Sequence, residues 1–381
     1  MNFQPLKDFL DYYLPAVAVP GSDTVIYQDH NEIFRYTSGF DSLAQKTPVR
    51  KDALYSIYSC TKVSTCVAAT QLIERGQILA SDPISYYFPE YEKLTVRKVE
   101  SNGTVNIVPA TKTMTIKHLL TMTAGFSYDL NSPAIREVYR RTDGRCPTLD
   151  VIRAMPSDPL FFEPGERYNY SLCLDVIGGL VELVSGMKLS EYMRRNIFEP
   201  LGMKSTYFGY RPEDRERMAT KYAYDAATAS AREIPKEDNP YNLGTEFESG
   251  GAGLISCVDD QILLADALAN GGMGKSGNRI LSSCGVDLMR MNSLNKEQMA
   301  YVTEPHLKGY SYGYGVRVNV DPREGGNLAP MDEFGWDGAK LCYLSAIPSM
   351  KIAIFHAEHM GGLHGVVVPR LRNVVQSCLM S

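Results

Sequence analysis

Short runs of apolar, β-branched and aromatic residues occur in two pairs, one pair near each end of the chain. Residues 24–28 and 33–37 flank a polar turn, and residues 341–347 and 351–357 flank a turn that contains a proline. Paired runs of this kind, joined by short turns of polar residues or proline, are typical of antiparallel hairpins. We therefore expect one hairpin near each end of the chain.

The residues between these hairpins repeat their apolar side chains every three or four positions, which is the spacing of amphipathic helices. Clusters of glycine, proline and aspartate separate the helical segments. Strands from the two ends can pair into one sheet, with the helices packed beside it. We predict an α+β fold in which a central antiparallel sheet is flanked by helices and carries an inserted, mostly helical lobe. The predicted helices cover residues 6–13, 116–123, 149–155, 172–183, 189–197, 258–270 and 366–379.

The same pattern predicts two structural units. Residues 1–75 and 245–381 would form a discontinuous α/β sheet domain, and residues 76–244 would form the mainly helical inserted lobe. A chain of 381 residues is long enough for two or three such units. A cleft between two lobes is a common place for a site.

Composition and charge exclude several classes of function. The net charge of −5 argues against a broad basic face for nucleic acid. No apolar run reaches the length of a membrane span and the N-terminus has no export signal, so we expect a cytoplasmic protein. The eight cysteines are scattered without metal-site spacing, which predicts free thiols, no metal and no cofactor. His356, His359 and His364 also lack zinc spacing, and we expect them to be incidental surface residues.

A candidate nucleophile comes from the pattern Ser-x-x-Lys, and context separates its three occurrences. Ser185–Lys188 runs into the helix-stopping Gly186, and Ser293–Lys296 lies in a polar segment that is typical of a loop. Only Ser59–Lys62 follows a β-like run and opens a helical segment, at residues 60–75. The three pairs are Ser59–Lys62, Ser185–Lys188 and Ser293–Lys296.

The first pair has a geometry that suits nucleophilic catalysis. In a helix, Lys62 lies one turn from Ser59 on the same face, and the helix N-terminus directs amide N–H groups toward Ser59. A serine hydroxyl needs a neighbouring base, and a desolvated lysine can serve as one. In the alternative interpretation, Ser59 only caps the helix and Lys62 is a solvated surface residue.

Five segments in the same order carry a family resemblance over nearly the whole chain. The chain resembles the serine β-lactamase and penicillin-binding-protein superfamily, whose signature includes Ser-x-x-Lys. It is most similar to the class C-type esterases and acyltransferases of that superfamily. The five segments read DALYSIYSCTK, TIKHLLTMTAGF, PGERYNYSLCLDVIGGLVELVSG, FEPLGMKSTYF and GGAGLISCVDDQILLADALANGG.

The resemblance implies roles for individual residues. Ser59 would be the acyl-accepting nucleophile, Lys62 its partner, and Tyr170 the tyrosine of the family's Tyr-x-Asn motif. The backbone N–H groups of Ser59 and Ala339 would form the oxyanion hole. Lysine and tyrosine that share a buried site compete for protons and titrate as a pair, so either can take the serine proton.

Two departures from the β-lactamase pattern concern the substrate. Leu172 replaces the asparagine of Tyr-x-Asn, and Trp336-Asp337-Gly338 stands where β-lactamases have Lys-Thr-Gly. A lysine there would bind a substrate carboxylate, whereas Trp336 offers an apolar wall and Asp337 adds negative charge. Leu172, Asp175 and Trp336 fit the esterase branch. Leu172 and Asp175 also fit a core residue and a helix-turn partner.

We therefore expect a serine hydrolase that cleaves carboxylic esters of a small, largely uncharged acyl substrate through a Ser59 acyl-enzyme. One alternative is a β-lactamase or DD-peptidase acting on amides. Another is an acyltransferase to an alcohol or amine, which the sequence cannot separate from a hydrolase because the first half-reaction is the same. A catalytically silent binding protein is the remaining alternative. The sequence leaves the oligomeric state open.

Overall fold

A computed structural model describes residues 1–237 and 239–380 of the chain. The described part contains sixteen strands, several of them only two or three residues long. The strands are β1 (Gly21–Gln28), β2 (Asn31–Ser42), β3 (Thr47–Pro48), β4 (Tyr55–Ser56), β5 (Thr95–Val99), β6 (Val105–Pro109), β7 (Tyr207–Phe208), β8 (Lys221–Asp225), β9 (Ser230–Ile234), β10 (Leu254–Ser256), β11 (Tyr310–Tyr312), β12 (Arg317–Asn319), β13 (Phe334–Asp337), β14 (Cys342–Ile347), β15 (Ile352–Ala357) and β16 (Met360–Gly361).

The same residues form fourteen α-helices, and short turns of 3₁₀- or π-helix extend some of them. The α-helices are α1 (Gln4–Asp8), α2 (Leu14–Ala16), α3 (Thr61–Glu74), α4 (Ile116–Leu120), α5 (Pro133–Arg141), α6 (Thr148–Ala154), α7 (Cys173–Ser185), α8 (Leu189–Met193), α9 (Glu199–Leu201), α10 (Val258–Ala269), α11 (Ser283–Arg290), α12 (Lys296–Met299), α13 (Pro322–Gly325) and α14 (His364–Met380).

The principal sheet joins strands from both ends of the chain. Its order is β11-β12-β13-β14-β15-β1-β2-β3, and each neighbouring pair is antiparallel. Where the two ends of the chain meet in the sheet, Thr24 of β1 lies opposite His356 of β15. Both predicted hairpins are present, as β1–β2 and β14–β15. The predicted α+β class with a central antiparallel sheet is confirmed.

Helices cover the two faces of this sheet because successive side chains along a strand point to opposite sides. Ile26 and Ile354 pack against the terminal helices α1 and α14 in one apolar cluster. Val25 and Phe355, their neighbours along the strands, pack in a second and larger cluster that includes α10 and α3. The nucleophile segment therefore lies on the face away from the chain termini.

The segment between the sheet strands is mainly helical, as expected, but it also contributes strands. The pair β5–β6 lies within it, β7 pairs with β10, and β8 pairs with β16. One apolar cluster runs without a break from the sheet residue Val25 to Val176 in α7. The division of the chain at residues 75 and 245 stays a prediction.

In the described residues, no helix combines the length and apolar character that a bilayer crossing requires. All eight cysteines carry free thiols, and only Cys284 is exposed.

Candidate active site

Ser59 lies in a tight turn between strand β4 and helix α3. The turn is a 3₁₀-helix over Tyr58–Cys60, and Tyr58 has a φ of 45°, in the left-handed region that non-glycine residues seldom adopt. The alternative interpretation, in which Ser59 only caps the helix, is excluded, because the cap position belongs to Cys60 and no side chain bonds there. The Ser59 hydroxyl is therefore available for other contacts.

Lys62 is fully buried and directed at Ser59. Its Nζ lies 3.2 Å from Ser59 Oγ, 3.3 Å from the Tyr128 hydroxyl and 2.7 Å from the carbonyl oxygen of Gly251. The alternative of a solvated surface lysine is thus excluded. Burial lowers the pKa of Lys62 to about 8, although the nearby Asp175 carboxylate opposes this shift. When the ammonium loses its proton, the nitrogen can keep two of these donor contacts and accept the third from the Ser59 hydroxyl.

Tyr170 completes the group around Ser59 and packs against Trp336. The rings of Tyr170 and Trp336 stack with centroids 5.4 Å apart, and the indole Nε1 donates to the Tyr170 hydroxyl at 3.0 Å. Lys62 Nζ lies 4.6 Å from the centre of the Tyr170 ring. Burial raises the pKa of Tyr170, and hydrogen bonds with Ser59 and Trp336 oppose that rise. Of Lys62 and Tyr170, Lys62 is therefore the group whose pKa lies closer to neutral pH.

Tyr128 is a member of this group that the sequence interpretation missed. Its hydroxyl contacts Lys62, and its ring stacks on that of Tyr170 with centroids 5.5 Å apart. The ring of Tyr241 packs edge-on against that of Tyr128, with centroids 5.6 Å apart. The sequence signal that could have identified Tyr128 is its position, two residues after the segment TIKHLLTMTAGF. Two stacked tyrosines therefore border the lysine.

Asp175 reaches Lys62 through the backbone rather than by direct contact. Its Oδ1 accepts from the Ser249 hydroxyl at 2.5 Å and from the Gly251 N–H at 3.2 Å, while the Gly251 carbonyl accepts from Lys62. Burial raises the pKa of Asp175, and the charge of Lys62 opposes the rise. The carboxylate thus holds the segment that positions the lysine.

The turn between β13 and β14 lies directly beside the nucleophile. A Cβ atom added to Gly338 would approach the carbonyl oxygen of Ile57 to 2.3 Å, so only glycine permits this close contact. The thiol of Cys60 bonds to main-chain carbonyls of Trp336 and Cys342, at 3.4 and 3.3 Å, and fixes the same two strands from the nucleophile side.

Two amide groups of this region have one property that an oxyanion hole requires, which is the lack of a protein acceptor among the described residues. Within residues 1–237 and 239–380, the N–H groups of Ser59 and Ala339 donate to no protein acceptor. Free N–H donors in a largely buried site stabilise a developing negative charge. The assignment of these two amides as the oxyanion hole stays a prediction.

Asp337 occupies a different place from the one expected. Its carboxylate forms a buried ion pair with Arg317 at 3.0 Å, and Arg317 also binds Glu333 at 2.8 Å. Neighbouring residues of a strand point to opposite faces, so Trp336 faces Tyr170 and Asp337 faces Arg317. The Asp337 carboxylate is therefore paired with Arg317 rather than presented to a substrate.

Leu172 precedes helix α7 and is buried. It lines a small cavity of about 110 Å³ together with Phe126 and Met155. Its predicted contact with substrate stays a prediction.

The three histidines near the C-terminus are not incidental surface residues. His356 is fully buried and bonds to Glu358 at 2.9 Å, and His359 is buried and bonds to the Ala219 carbonyl at 3.1 Å. His364 is half-buried and bonds to a main-chain carbonyl of the β13–β14 turn. Each ring therefore has a main-chain or carboxylate partner within the protein. Among the described residues, no group of histidine, cysteine and carboxylate side chains could hold a metal ion.

Known proteins with similar sequences identify the family of the chain. A family model described as Beta-lactamase matches residues 8–357. Esterase EstB of Burkholderia gladioli is 30% identical over 356 residues, which cover 87% of this chain and 84% of that protein. The lovastatin esterase of Penicillium rubens is 30% identical over 311 residues, which cover 78% of this chain and 75% of that protein.

Solved structures share the fold across the whole chain. The simvastatin synthase LovD from Aspergillus terreus aligns with a TM-score of 0.80 at 22% identity, over 99% of this chain and 98% of its own. EstCE1, described as a hydrolase with promiscuous acyltransferase activity, aligns with a TM-score of 0.78 at 23% identity, over 99% of both chains. The family resemblance of the sequence is confirmed. The chain therefore belongs to the Beta-lactamase family and is an enzyme of the serine hydrolase class.

Proposed function

We propose that this enzyme hydrolyses carboxylic esters through an acyl-enzyme formed on Ser59. The observation that carries the proposal is the 3.2 Å contact between Lys62 Nζ and Ser59 Oγ inside a buried site. A lysine with a pKa of about 8 is partly neutral near physiological pH, so it can accept a proton from the serine that it touches.

In the acylation step, the neutral Lys62 amine takes the proton of the Ser59 hydroxyl while Oγ attacks the ester carbonyl carbon. The carbonyl oxygen becomes an oxyanion that accepts from the N–H groups of Ser59 and Ala339. When the intermediate collapses, the bond to the alcohol oxygen breaks and that oxygen receives the proton from Lys62. The hydroxyl of Tyr170, which bonds to Ser59, lies on the path of this transfer.

Deacylation uses the same groups with water in place of the leaving alcohol. Water loses a proton to Lys62 and attacks the acyl carbon. The acid is released, and the proton returns to Ser59 Oγ. No group outside the site is required for the proton balance of the cycle.

The substrate is a small acyl ester without a negative charge near the reacting carbonyl. Trp336 places an indole where a carboxylate-binding lysine would stand, and Asp337 is paired with Arg317. An apolar wall favours uncharged acyl groups. Relatives of this chain include proteins named as esterases.

We also propose that the enzyme works in the cytoplasm. The free thiols of its eight cysteines support this, because reducing compartments keep cysteines unpaired.

Acyl transfer to an alcohol or amine is the second candidate. Its support is the relative acyltransferase calJ of Penicillium decumbens, which is 31% identical over 63% of this chain. Hydrolysis and transfer share the acyl-enzyme and differ in the acceptor that attacks it. Turnover of p-nitrophenyl butyrate in graded concentrations of alcohols and amines, with both products quantified, measures which acceptor competes with water.

The test of the proposal is turnover of p-nitrophenyl butyrate by the wild type and by Ser59→Ala. We expect loss of nearly all activity, and loss of the acyl adduct seen by intact-mass spectrometry. Ser64→Ala is the matched control, since Ser64 is a fully buried serine of the helix that follows the Ser59 turn, and its hydroxyl has no partner among the described residues. An active Ser59→Ala enzyme would refute the mechanism, and faster hydrolysis of nitrocefin than of esters would favour the β-lactamase alternative.

A further inference from the structure

We propose that His364 is a positioning residue that holds the Gly338–Ala339 peptide so that the Ala339 N–H faces the oxyanion. This inference rests on the proposed function, in which Ala339 supplies one of the two oxyanion donors. His364 itself lies on the side of the peptide away from the reacting atoms and touches no substrate.

The contact that carries the inference is a hydrogen bond across two parts of the fold. His364 Nε2 lies 2.7 Å from the carbonyl oxygen of Gly338. A carbonyl oxygen can only accept, so Nε2 carries the hydrogen, and this fixes the ring tautomer if the ring is neutral. His364 is the first residue of helix α14, whereas Gly338 belongs to the β13–β14 turn.

The geometry of the peptide bond converts this contact into a direction for the Ala339 amide. In a planar trans peptide, the C=O and the following N–H point in opposite directions. A donor that holds the Gly338 oxygen from one side therefore directs the Ala339 N–H toward the other side. The Cα of Gly338 packs against the carbonyl of Ile57, two residues before the nucleophile, so this peptide lies beside Ser59.

A second donor to the same oxygen cannot replace His364. The N–H of Leu341 also bonds to the Gly338 carbonyl, at 2.8 Å. Leu341 belongs to the same turn, so its hydrogen bond fixes the shape of the turn, and the N–H of Glu358 bonds to the Leu341 carbonyl at 3.1 Å. His364 ties the turn to a separate helix, and its hydrogen bond also polarises the peptide and strengthens the N–H as a donor.

The far side of the turn is reinforced by neighbouring groups. The ring of His306 lies 5.7 Å from that of His364, and the Asp337 carboxylate is paired with Arg317. The ion pair holds the strand that leads into the turn, and the bond from His364 holds the peptide that follows it.

The test compares His364→Leu, which removes the donor, with His364→Gln, whose side-chain N–H can reach the same oxygen. Because loss of a whole oxyanion donor costs about 100- to 1000-fold in kcat, we expect loss of its support to lower kcat for p-nitrophenyl butyrate about 10- to 50-fold in His364→Leu. We expect KM to change less than about threefold. The affinity of a boronic acid that mimics the tetrahedral intermediate should fall in parallel with kcat, and His364→Gln should recover most of both.

His359→Leu is the matched control, since His359 also bonds to a main-chain carbonyl but does so at Ala219. Its melting temperature should fall while kcat per active site stays near the wild-type value. The inference is overturned if His364→Leu keeps wild-type kcat, or if Leu and Gln lower kcat equally. Ester turnover that survives Ser59→Ala would instead show that the proposed function has failed, before any His364 variant is measured.

Discussion

Trp336 donates a hydrogen bond from its indole Nε1 to the hydroxyl oxygen of Tyr170, at 3.0 Å, while the two rings stack. The only tryptophan of the chain is therefore bonded to a candidate catalytic group. The sequence suggested an apolar wall. The structure adds a directed N–H that favours the more negative states of the Tyr170 oxygen.

Trp336→Phe keeps an aromatic ring and removes this donor, so we expect kcat for p-nitrophenyl butyrate to fall about 5- to 20-fold, in line with the loss of one hydrogen bond in a buried site. Tyr312→Phe is the control, because its ring also packs on Trp336 while its hydroxyl has no partner among the described residues. Equal activity of Trp336→Phe and wild type would mean that the indole only packs.

The pH dependence of activity should report Lys62. A base works in its unprotonated form, and burial lowers the pKa of Lys62 to about 8, so kcat/KM should rise with pH and level off above a midpoint near that value. The carboxylate of Asp175 raises the pKa of Lys62, so Asp175→Asn should move the midpoint to lower pH. A midpoint that stays in place in this variant would show that Asp175 does not act on the base. Rates of p-nitrophenyl acetate hydrolysis across the pH range give both midpoints.

Tyr128→Phe should reveal how much the second tyrosine contributes. The change keeps the stack on Tyr170 and removes the hydroxyl that contacts Lys62, so we expect kcat to fall about 3- to 10-fold. Tyr170→Phe should cost about 100-fold or more if its hydroxyl lies on the proton path. Tyr241→Phe is the control, since its ring packs on Tyr128. A larger loss of kcat in Tyr128→Phe than in Tyr170→Phe would mean that the Tyr128 hydroxyl, rather than that of Tyr170, lies on the proton path.

Gly338→Ala should lower the activity while leaving the fold intact. The new methyl group would meet the Ile57 carbonyl at 2.3 Å and push the β13–β14 turn away from Ser59. We expect kcat to fall about 100-fold, the scale of one lost oxyanion donor. In Gly365→Ala, the added Cβ meets its nearest atom at 3.5 Å, so this variant should keep its activity. Thermal unfolding of both variants checks that the folds are intact.

Much of the architecture could be predicted because its signals are local. The hairpins and helices follow from the spacing of apolar side chains, and Ser59, Lys62 and Tyr170 stand in recognisable motifs. The fold class and the family are confirmed. The 3₁₀ turn at Ser59 was missed because serine also favours the cap position of a helix, and tertiary contacts decided between the two.

The remaining site features depend on contacts between distant segments. Tyr128 is one of 24 tyrosines, and only a contact between segments far apart in the chain places its hydroxyl beside Lys62. Asp337 looked like part of the substrate wall because it follows Trp336, but its partner Arg317 lies on another strand. The strand period of two would have separated Trp336 and Asp337 once the strand itself was recognised.

The order of strands in the principal sheet has a consequence for biosynthesis. β1 lies between β15 and β2, so an early strand takes its place only after a late strand has been made. Closing such a long loop costs entropy and slows folding. Ser59 and Lys62 leave the ribosome long before Ala339, so a nascent chain holds the nucleophile without the amide proposed to stabilise its oxyanion. The enzyme should therefore stay chemically silent during its own synthesis and gain activity only when the last strands have joined the sheet.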